Sequence, residues 1–488
     1  MLSVICAINA RSDSRSTRLV QCASHWIATA GPADRLAPER PICKEATRIR
    51  QRPNCRGFLA TARKNTIDPE KVAMASVIPR NAAASSTRQQ TLTISAVLIA
   101  LLFFYAVAFP KGGIKAAGIP LTIGYVFTTI LVGLALLRAQ RLSIPLDRLL
   151  AFAPCLLLGV WSAFVLASNG SESLGFTMAY FVSVLYLPFF GMLFFSALVL
   201  DEHHALVEKT FVWAVRFIIG YGIFLFFYRQ VTGSWIEIPY LTVNVDDIGK
   251  LDDKYINRGG IFKLISTYNN GNIFGVCMAI LGPLYIRLEN KRYLQWAFYA
   301  AMFLTLSRTV WIAAILIILA RSISQGIRPL ALIYLTGGLL LVGGVIVGLL
   351  SFLGRDMSFI FDSNLGGRLY LFNVLNDVRI FPVERIAPLP EIVYLGVLLF
   401  FGIPGLLLFV AHLLGPSFLL MAEGVRVLSP TRASACLQGL LIYAIIAWAD
   451  AAFSFIPVMM IFWMIAGMGF WYAHRQAFPV GSVREAAR

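Results

Sequence analysis

The chain has 488 residues, 58% hydrophobic and 13% aromatic with only 14% charged, and its mean hydropathy of +0.73 is far above that of a soluble globular domain. It reads as a polytopic all-α membrane protein. A formal net charge of +17 suggests nucleic acid at first sight, but Lys and Arg in such a chain gather in cytoplasmic loops as topology determinants, and nucleic acid is set aside as a partner.

Residues 1–73 are Arg-rich, carry Cys, Pro and Ser, and hold no apolar run long enough for a signal peptide or a span. Two accounts stand: a basic, disordered or transit-like extension, or a start placed too early, with Met74 opening a short basic leader. The second is preferred, and residues 74–488 are then a single polytopic domain. Of the seven cysteines, Cys6, Cys22, Cys43 and Cys55 lie in this stretch, while Cys155, Cys277 and Cys436 fall in or beside apolar segments. No CxxC or Cys/His spacing appears, so packed free thiols are expected and neither a metal nor another cofactor.

Apolar windows of about 19 residues predict about twelve transmembrane helices, near 91–110, 117–137, 148–167, 177–200, 211–229, 264–286, 293–306, 309–320, 329–352, 391–414, 434–453 and 457–473. Two of these are short because Thr305-Leu306-Ser307-Arg308-Thr309 interrupts the apolar run from Tyr293 to Ala320. A span needs roughly 20 residues, and a guanidinium at its centre costs several kcal/mol unless solvated or paired. Two helices meeting at Ser307-Arg308 are therefore expected.

Arg138, Arg141 and Arg148, then Arg287, Lys291 and Arg292, then Arg321 and Arg328, then Arg426 and Arg432, and the tail with Arg475, Arg484 and Arg488 all fall on one side. The positive-inside rule makes that side cytoplasmic, with both termini there. The loop 201–210 is of mixed charge, and Lys111 and Lys115 disagree mildly. The long loops 230–263 and 353–390 then lie outside the cytoplasm, together with Arg308.

The first of these loops ends Asn257-Arg258-Gly259-Gly260, followed by Asn269 and Asn270 at the head of the next span. Backbone N–H groups and the Arg258 guanidinium can meet one phosphate; equally, this is a glycine turn with a solvated arginine and the asparagines form a helix cap. The second loop contains Gly367-Arg368 and closes on Glu391, which could act as a general base, although an acid in a first helical turn is also ordinary dipole complementation. Gly402-Ile403-Pro404-Gly405 must kink its span or pack closely. Asp450 is a lone intramembrane acid, a functional candidate by default and as readily a structural partner for an arginine such as Arg308. Trp235, Tyr240, Tyr255, Tyr268 and Tyr370 could stack on sugars, though most are expected in the interfacial aromatic belt.

The order Arg258-Gly-Gly with Asn269 and Asn270, Leu304-Thr305-Leu306-Ser307-Arg308, Gly367-Arg368 in a long outer loop, and Glu391 through Gly402-Ile403-Pro404-Gly405 resembles the O-antigen polymerase and ligase superfamily over roughly residues 215–415. The resemblance implies a metal-independent, inverting glycosyltransferase of the bacterial inner membrane, moving glycans from undecaprenyl diphosphate on the periplasmic face. Arg258 and Arg308 match arginines that bind the donor diphosphate, and Arg368 matches a loop arginine. Ligases of the family commonly carry a His-Asn pair where this chain has Glu391-Ile392. That departure points to a polymerase of exopolysaccharide or capsule repeat units, with Glu391 replacing the base. Implied partners are the lipid-linked glycan and the bilayer, with chain-length or export proteins beside them. A ligase is the alternative within the family. A lipid-linked oligosaccharide flippase is the alternative outside it, disfavoured because the chain has no matched inverted halves.

Overall fold

The computed structural model describes residues 97–477 apart from 99, 117–118, 138–145, 193–199, 252–256, 259–260, 327–368 save a few isolated positions, 377, 391, 450–452 and 454–455. The extension expected over 1–73, the span expected over 329–352, Tyr255, and the candidate residues Arg368, Glu391 and Asp450 lie outside the described residues, as do the side chains of Arg258 and Tyr370.

The described chain is mostly α-helical, and the protein is membrane-embedded. In order it comprises α1 (100–108), a hairpin of β1 (Gly113–Ala116) and β2 (Ile119–Thr122), α2 (Ile123–Leu137), α3 (Leu146–Asn169), α4 (Leu174–Met192) and α5 (Leu200–Thr232). A second hairpin, β3 (Asn257–Arg258) with β4 (Ile261–Phe262), precedes α6 (Gly271–Leu288), α7 (Arg292–Phe303), α8 (Arg308–Ser324), α9 (Val393–Ala422), α10 (Arg432–Ile446) and α11 (Ile456–Ala477). Among the described residues, five helices are long and apolar enough to cross a membrane: α3, α4, α5, α6 and α9.

Several boundaries differ from the sequence expectation. The segment 201–210, expected as a loop, belongs to α5: it contains no glycine or proline, and Glu208 accepts from Arg432 Nη1 at 2.6 Å and from Tyr472 Oη at 2.7 Å, tying α5 to α10 and α11. The span expected from 117 begins instead with the β1–β2 hairpin, in register Lys115 with Pro120. Gly112, just before it, lies so close to the Tyr240 and Leu241 carbonyls that a Cβ would collide with them. The span expected from 264 starts at Gly271, and Ser266–Tyr268 form a 3₁₀ turn. That turn is anchored by Ser266 Oγ donating to the Ile218 carbonyl (2.8 Å) and Tyr268 Oη donating to the Val107 carbonyl (2.7 Å). Tyr268 is therefore a buried core residue and not part of an aromatic belt.

Helix α6 sits at the centre, packed against α7, α8, α10 and α11. Small residues let the backbones approach: Gly275 of α6 leaves room for Val310 of α8, and Gly439 of α10 lies on the Ile280 carbonyl. Helix α3 packs along α9. Cys155, Cys277 and Cys436 are buried free thiols, as expected.

The expected interruption of α9 falls at Gly402, whose φ of 68° and ψ of −170° are not helical. The groups freed there find partners: Trp161 Nε1 of α3 donates to the Phe401 carbonyl at 2.8 Å, and the Ile403 N–H donates to the Arg379 carbonyl at 3.2 Å. Irregular backbone inside an apolar protein persists only when its polar groups are satisfied in this way. The kink also receives the second long loop, since a Cβ at Gly402 would strike the Ile380 carbonyl.

Candidate functional site

The apolar run breaks where the sequence places the break. Helix α7 ends at Phe303 and α8 begins at Arg308, with Ser307 as its N-cap residue. Trp311 braces this elbow: its ring stacks on Phe303 with centroids 5.0 Å apart, and its Nε1 donates to the Phe303 carbonyl at 2.9 Å. Thr305 Oγ1 donates to the Met302 carbonyl at 2.7 Å.

Helices α6 and α8 run side by side in the same direction, because Gly275 faces Val310 and, two turns on, Gly282 faces Ile317. Their N-termini therefore share one end of the bundle. The connection is direct: the Leu264 N–H donates to the Leu304 carbonyl at 2.9 Å. A Cβ on Gly271 would lie 3.0 Å from the Leu264 carbonyl oxygen, 3.1 Å from Lys263 Cβ and 3.3 Å from the Thr305 carbonyl oxygen. Lys263 is buried at 7% exposure, Arg308 is half-buried, and Thr305, Ser307 and Thr309 are buried.

Each helix N-terminus carries a partial charge of roughly +0.5, so two such ends and the cations Lys263 and Arg308 raise one positive field. Arg308 is the first helical residue of α8, where a cation opposes the macrodipole by about 0.3–1 kcal/mol. Helix energetics alone do not account for it.

Backbone strain gathers at the same end. Among the described residues, the non-glycine residues with positive φ are Tyr240 (64°), Ser266 (49°), Asn269 (58°) and Leu306 (51°). Tyr240 lies in the loop after α5; the other three bracket the meeting of the α6 head with the α7–α8 elbow. Such conformations cost about 1–3 kcal/mol each and concentrate at ligand-binding sites. Asn tolerates the left-handed region, whereas serine and leucine have no such intrinsic preference for it.

Of the residues singled out from sequence, Arg308, Asn269 and Asn270 are placed here. Asn270 caps α6, its Oδ1 accepting from the Asn272 and Ile273 N–H groups at 2.8 and 3.3 Å. Asn269 donates through Nδ2 to the Thr242 carbonyl at 2.8 Å and so pins the first long loop. Asn270 fulfils the helix-cap alternative, while the bond of Asn269 to the loop is a structural duty of another kind. Arg258 is placed by its backbone, paired with Ile261 just upstream of Lys263. Beyond that hairpin, Arg229 lies over the rings of Phe262 (4.4 Å) and Trp235 (5.1 Å), which gives Trp235 a cation to stack on.

Three features escaped the sequence reading. Lys263 gave no signal beyond being the last charged residue before an apolar segment. Arg216 and Glu289 form a bidentate pair at 2.7 and 2.9 Å, joining residues far apart in sequence. His412 did carry a signal, as an ionisable residue inside an apolar run: it is fully buried in α9 against Phe409, Phe453 and Trp463, and neither ring nitrogen has a hydrogen-bond partner among the described residues.

Comparisons with protein-family models, with curated proteins and with solved structures each give no match. The fold and site define a class, an α-helical membrane protein with a strained, cationic junction of two helix N-termini beside its first long loop.

Proposed function

We propose that this protein is a membrane glycosyltransferase that polymerises undecaprenyl-diphosphate-linked oligosaccharide repeat units. In this reading it crosses the bacterial inner membrane about twelve times, keeps both termini in the cytoplasm and presents its long loops to the periplasm. The observation that carries the reading is the placement of Arg308 at the N-terminus of α8 and of buried Lys263 beside the adjoining N-terminus of α6, an arrangement suited to a diphosphate. The motif order over residues 215–415 supports the same class.

In the proposed reaction an acceptor sugar hydroxyl attacks the anomeric carbon of the lipid-linked glycan with inversion, and undecaprenyl diphosphate leaves. Preorganised cations in a water-poor site neutralise the charge growing on the leaving group without a metal. Arg308, Arg258 and Arg368 are assigned to the diphosphate, with Lys263 added from its position at the junction. Glu391 is assigned as the base that takes the hydroxyl proton.

The test is Arg308→Ala in cells, with membrane insertion checked separately. Polymer synthesis should disappear while the protein still inserts; polymer of wild-type length would overturn the proposal. Deletion of the whole gene separates the classes. Single repeat units on lipid fit a polymerase, long polymer retained on the carrier would indicate a ligase, and repeat units trapped on the cytoplasmic face would indicate a flippase.

A further inference from the structure

The opposite ends of α6 and α8 line a polar cavity of about 280 Å³. It opens between the last turns of α6 and α8, the first turn of α7 and the start of α10. Three guanidinium groups line it: Arg287 from α6, Arg292 from α7 and Arg321 from α8. Positive-inside topology explains basic residues at this end of the bundle, and cations at the C-termini of α6 and α8 complement their dipoles. Neither explains why three of them, carried by three helices, surround one cavity.

The charge balance inside the cavity is positive. Among the described residues Glu289 is the one acid on its wall, and both its oxygens are already engaged. Oε1 accepts from Arg216 Nη2 and the Lys291 N–H, each at 2.9 Å, and Oε2 accepts from Arg216 Nε at 2.7 Å and Tyr285 Oη at 3.2 Å. Arg216 neutralises this carboxylate without itself lining the cavity. Arg287 makes no hydrogen bond or ion pair among the described residues, and Arg321 is close enough to repel it. Arg321 is held in place by a neutral group: its Nη1 donates to Gln295 Oε1 at 2.9 Å, while Gln295 Nε2 donates to the Glu289 carbonyl at 2.6 Å. The capped N-terminus of α10, at Thr431, adds backbone N–H dipoles to the same wall.

From this we infer that the cavity is a binding site for a phosphate-bearing anion, distinct from the junction at Arg308. A preset array of guanidinium groups with no available carboxylate matches phosphate geometry. Basic pockets between helices at the cytoplasmic surface are where anionic phospholipid headgroups bind. Helix α8 has 17 residues and so separates the two ends by about 25 Å, too far for one diphosphate to bridge.

The test uses the purified full chain in detergent, given phosphatidylglycerol or phosphatidylcholine and examined by native mass spectrometry, with inorganic phosphate titrated separately against thermal unfolding. Wild type should retain phosphatidylglycerol over phosphatidylcholine, and Arg287→Gln and Arg321→Gln should each weaken that retention about tenfold, the loss of a charge-assisted hydrogen bond. Stabilisation by inorganic phosphate that both variants lose would also uphold the site and assign it to a soluble anion. Arg292→Gln, an exposed position where folding is not at stake, should shift binding in the same direction. Equal retention of the two lipids with no effect of phosphate, or binding unchanged in the three variants, would overturn the inference.

Discussion

Because α6 and α8 lie parallel, their two shared ends differ in sign before any side chain is counted. At the end near the first long loop the helices present N–H groups and a positive field; at the other end they present carbonyls and a negative one. The chain places cations at both. Arg287 and Arg321 sit in last turns, where the dipole favours them. Arg308 sits in a first turn, where it does not, beside the strained Leu306 and buried Lys263. The same residue type therefore carries different information at the two ends. At one end the helix dipoles favour the arginines and only their gathering around a cavity goes beyond them, whereas at the other the arginine opposes the dipole of its own helix.

The comparison is broken most directly by removing the cation that the helix dipole does not favour. Arg308→Ala is expected to lower polymer formation about 10²–10³-fold, the usual effect of deleting one preorganised donor from a charge-stabilising site, with protein abundance within twofold of wild type by about 0.4 kcal/mol. Quantifying polymer against membrane-inserted protein checks it, and a parallel fall in abundance would make Arg308 a folding residue.

At the opposite end the largest effect should come from Arg216. Arg216→Ala strands the fully buried Glu289 carboxylate, whereas Glu289→Ala strands a guanidinium whose side chain is 21% exposed. Breaking a buried pair costs about 3–5 kcal/mol, and the first variant should lie near that range and the second well below it. Thermal unfolding of both in one detergent reads the asymmetry; equal losses would mean that Glu289 is hydrated in solution.

Acid should weaken the same end selectively. Burial pushes Glu289 up, but hydrogen bonds from Arg216 and the Lys291 N–H outweigh it and hold its carboxyl below the usual carboxylate range. With the folded value below the unfolded one, the pair's stabilisation is complete above the unfolded pKa of about 4.3. It is lost as pH falls from there through the depressed folded value. Glu289→Gln should flatten the wild-type decline in unfolding temperature below about pH 4.3; an unchanged acid limb would count against the shift.

The smallest effect sharpens the elbow. Trp311→Phe keeps an aromatic ring on Phe303 and removes only the indole N–H bond to its carbonyl, worth about 1 kcal/mol. A fall of a few-fold in polymer formation, with phosphatidylglycerol retention untouched, would show that elbow rigidity matters to the Arg308 end alone.

Much of the local architecture was legible in the sequence. Thr305-Leu306-Ser307-Arg308 marked a helix break because a guanidinium cannot sit cheaply in a continuous span, and the break lies there. Gly402-Ile403-Pro404-Gly405 marked a kink because glycine and proline together weaken helical hydrogen bonding, and Gly402 is the residue that departs. Strand β2 was hidden because its four residues Ile-Pro-Leu-Thr run directly into the apolar α2, and a window of about 19 residues averages the two together. Tyr268 was misplaced for a related reason: its composition suits an interface, and its burial depends on the Val107 carbonyl offered by a helix far away in sequence.

What the sequence by itself determined was composition-driven and local: a membrane-embedded helical protein, a charged break at Arg308, a kink at Gly402, and Cys155, Cys277 and Cys436 packed as free thiols. Tertiary structure alone decided that α6 and α8 run parallel, so that Lys263 joins the α7–α8 elbow at one end and Arg287, Arg292 and Arg321 ring a cavity at the other. The reason is physical. Helix breaks and hydropathy arise within a few turns of chain, whereas the sign and shape of a site arise from which helix ends lie side by side. That is fixed by interhelical contacts such as Gly275 with Val310 and Gly439 with Ile280.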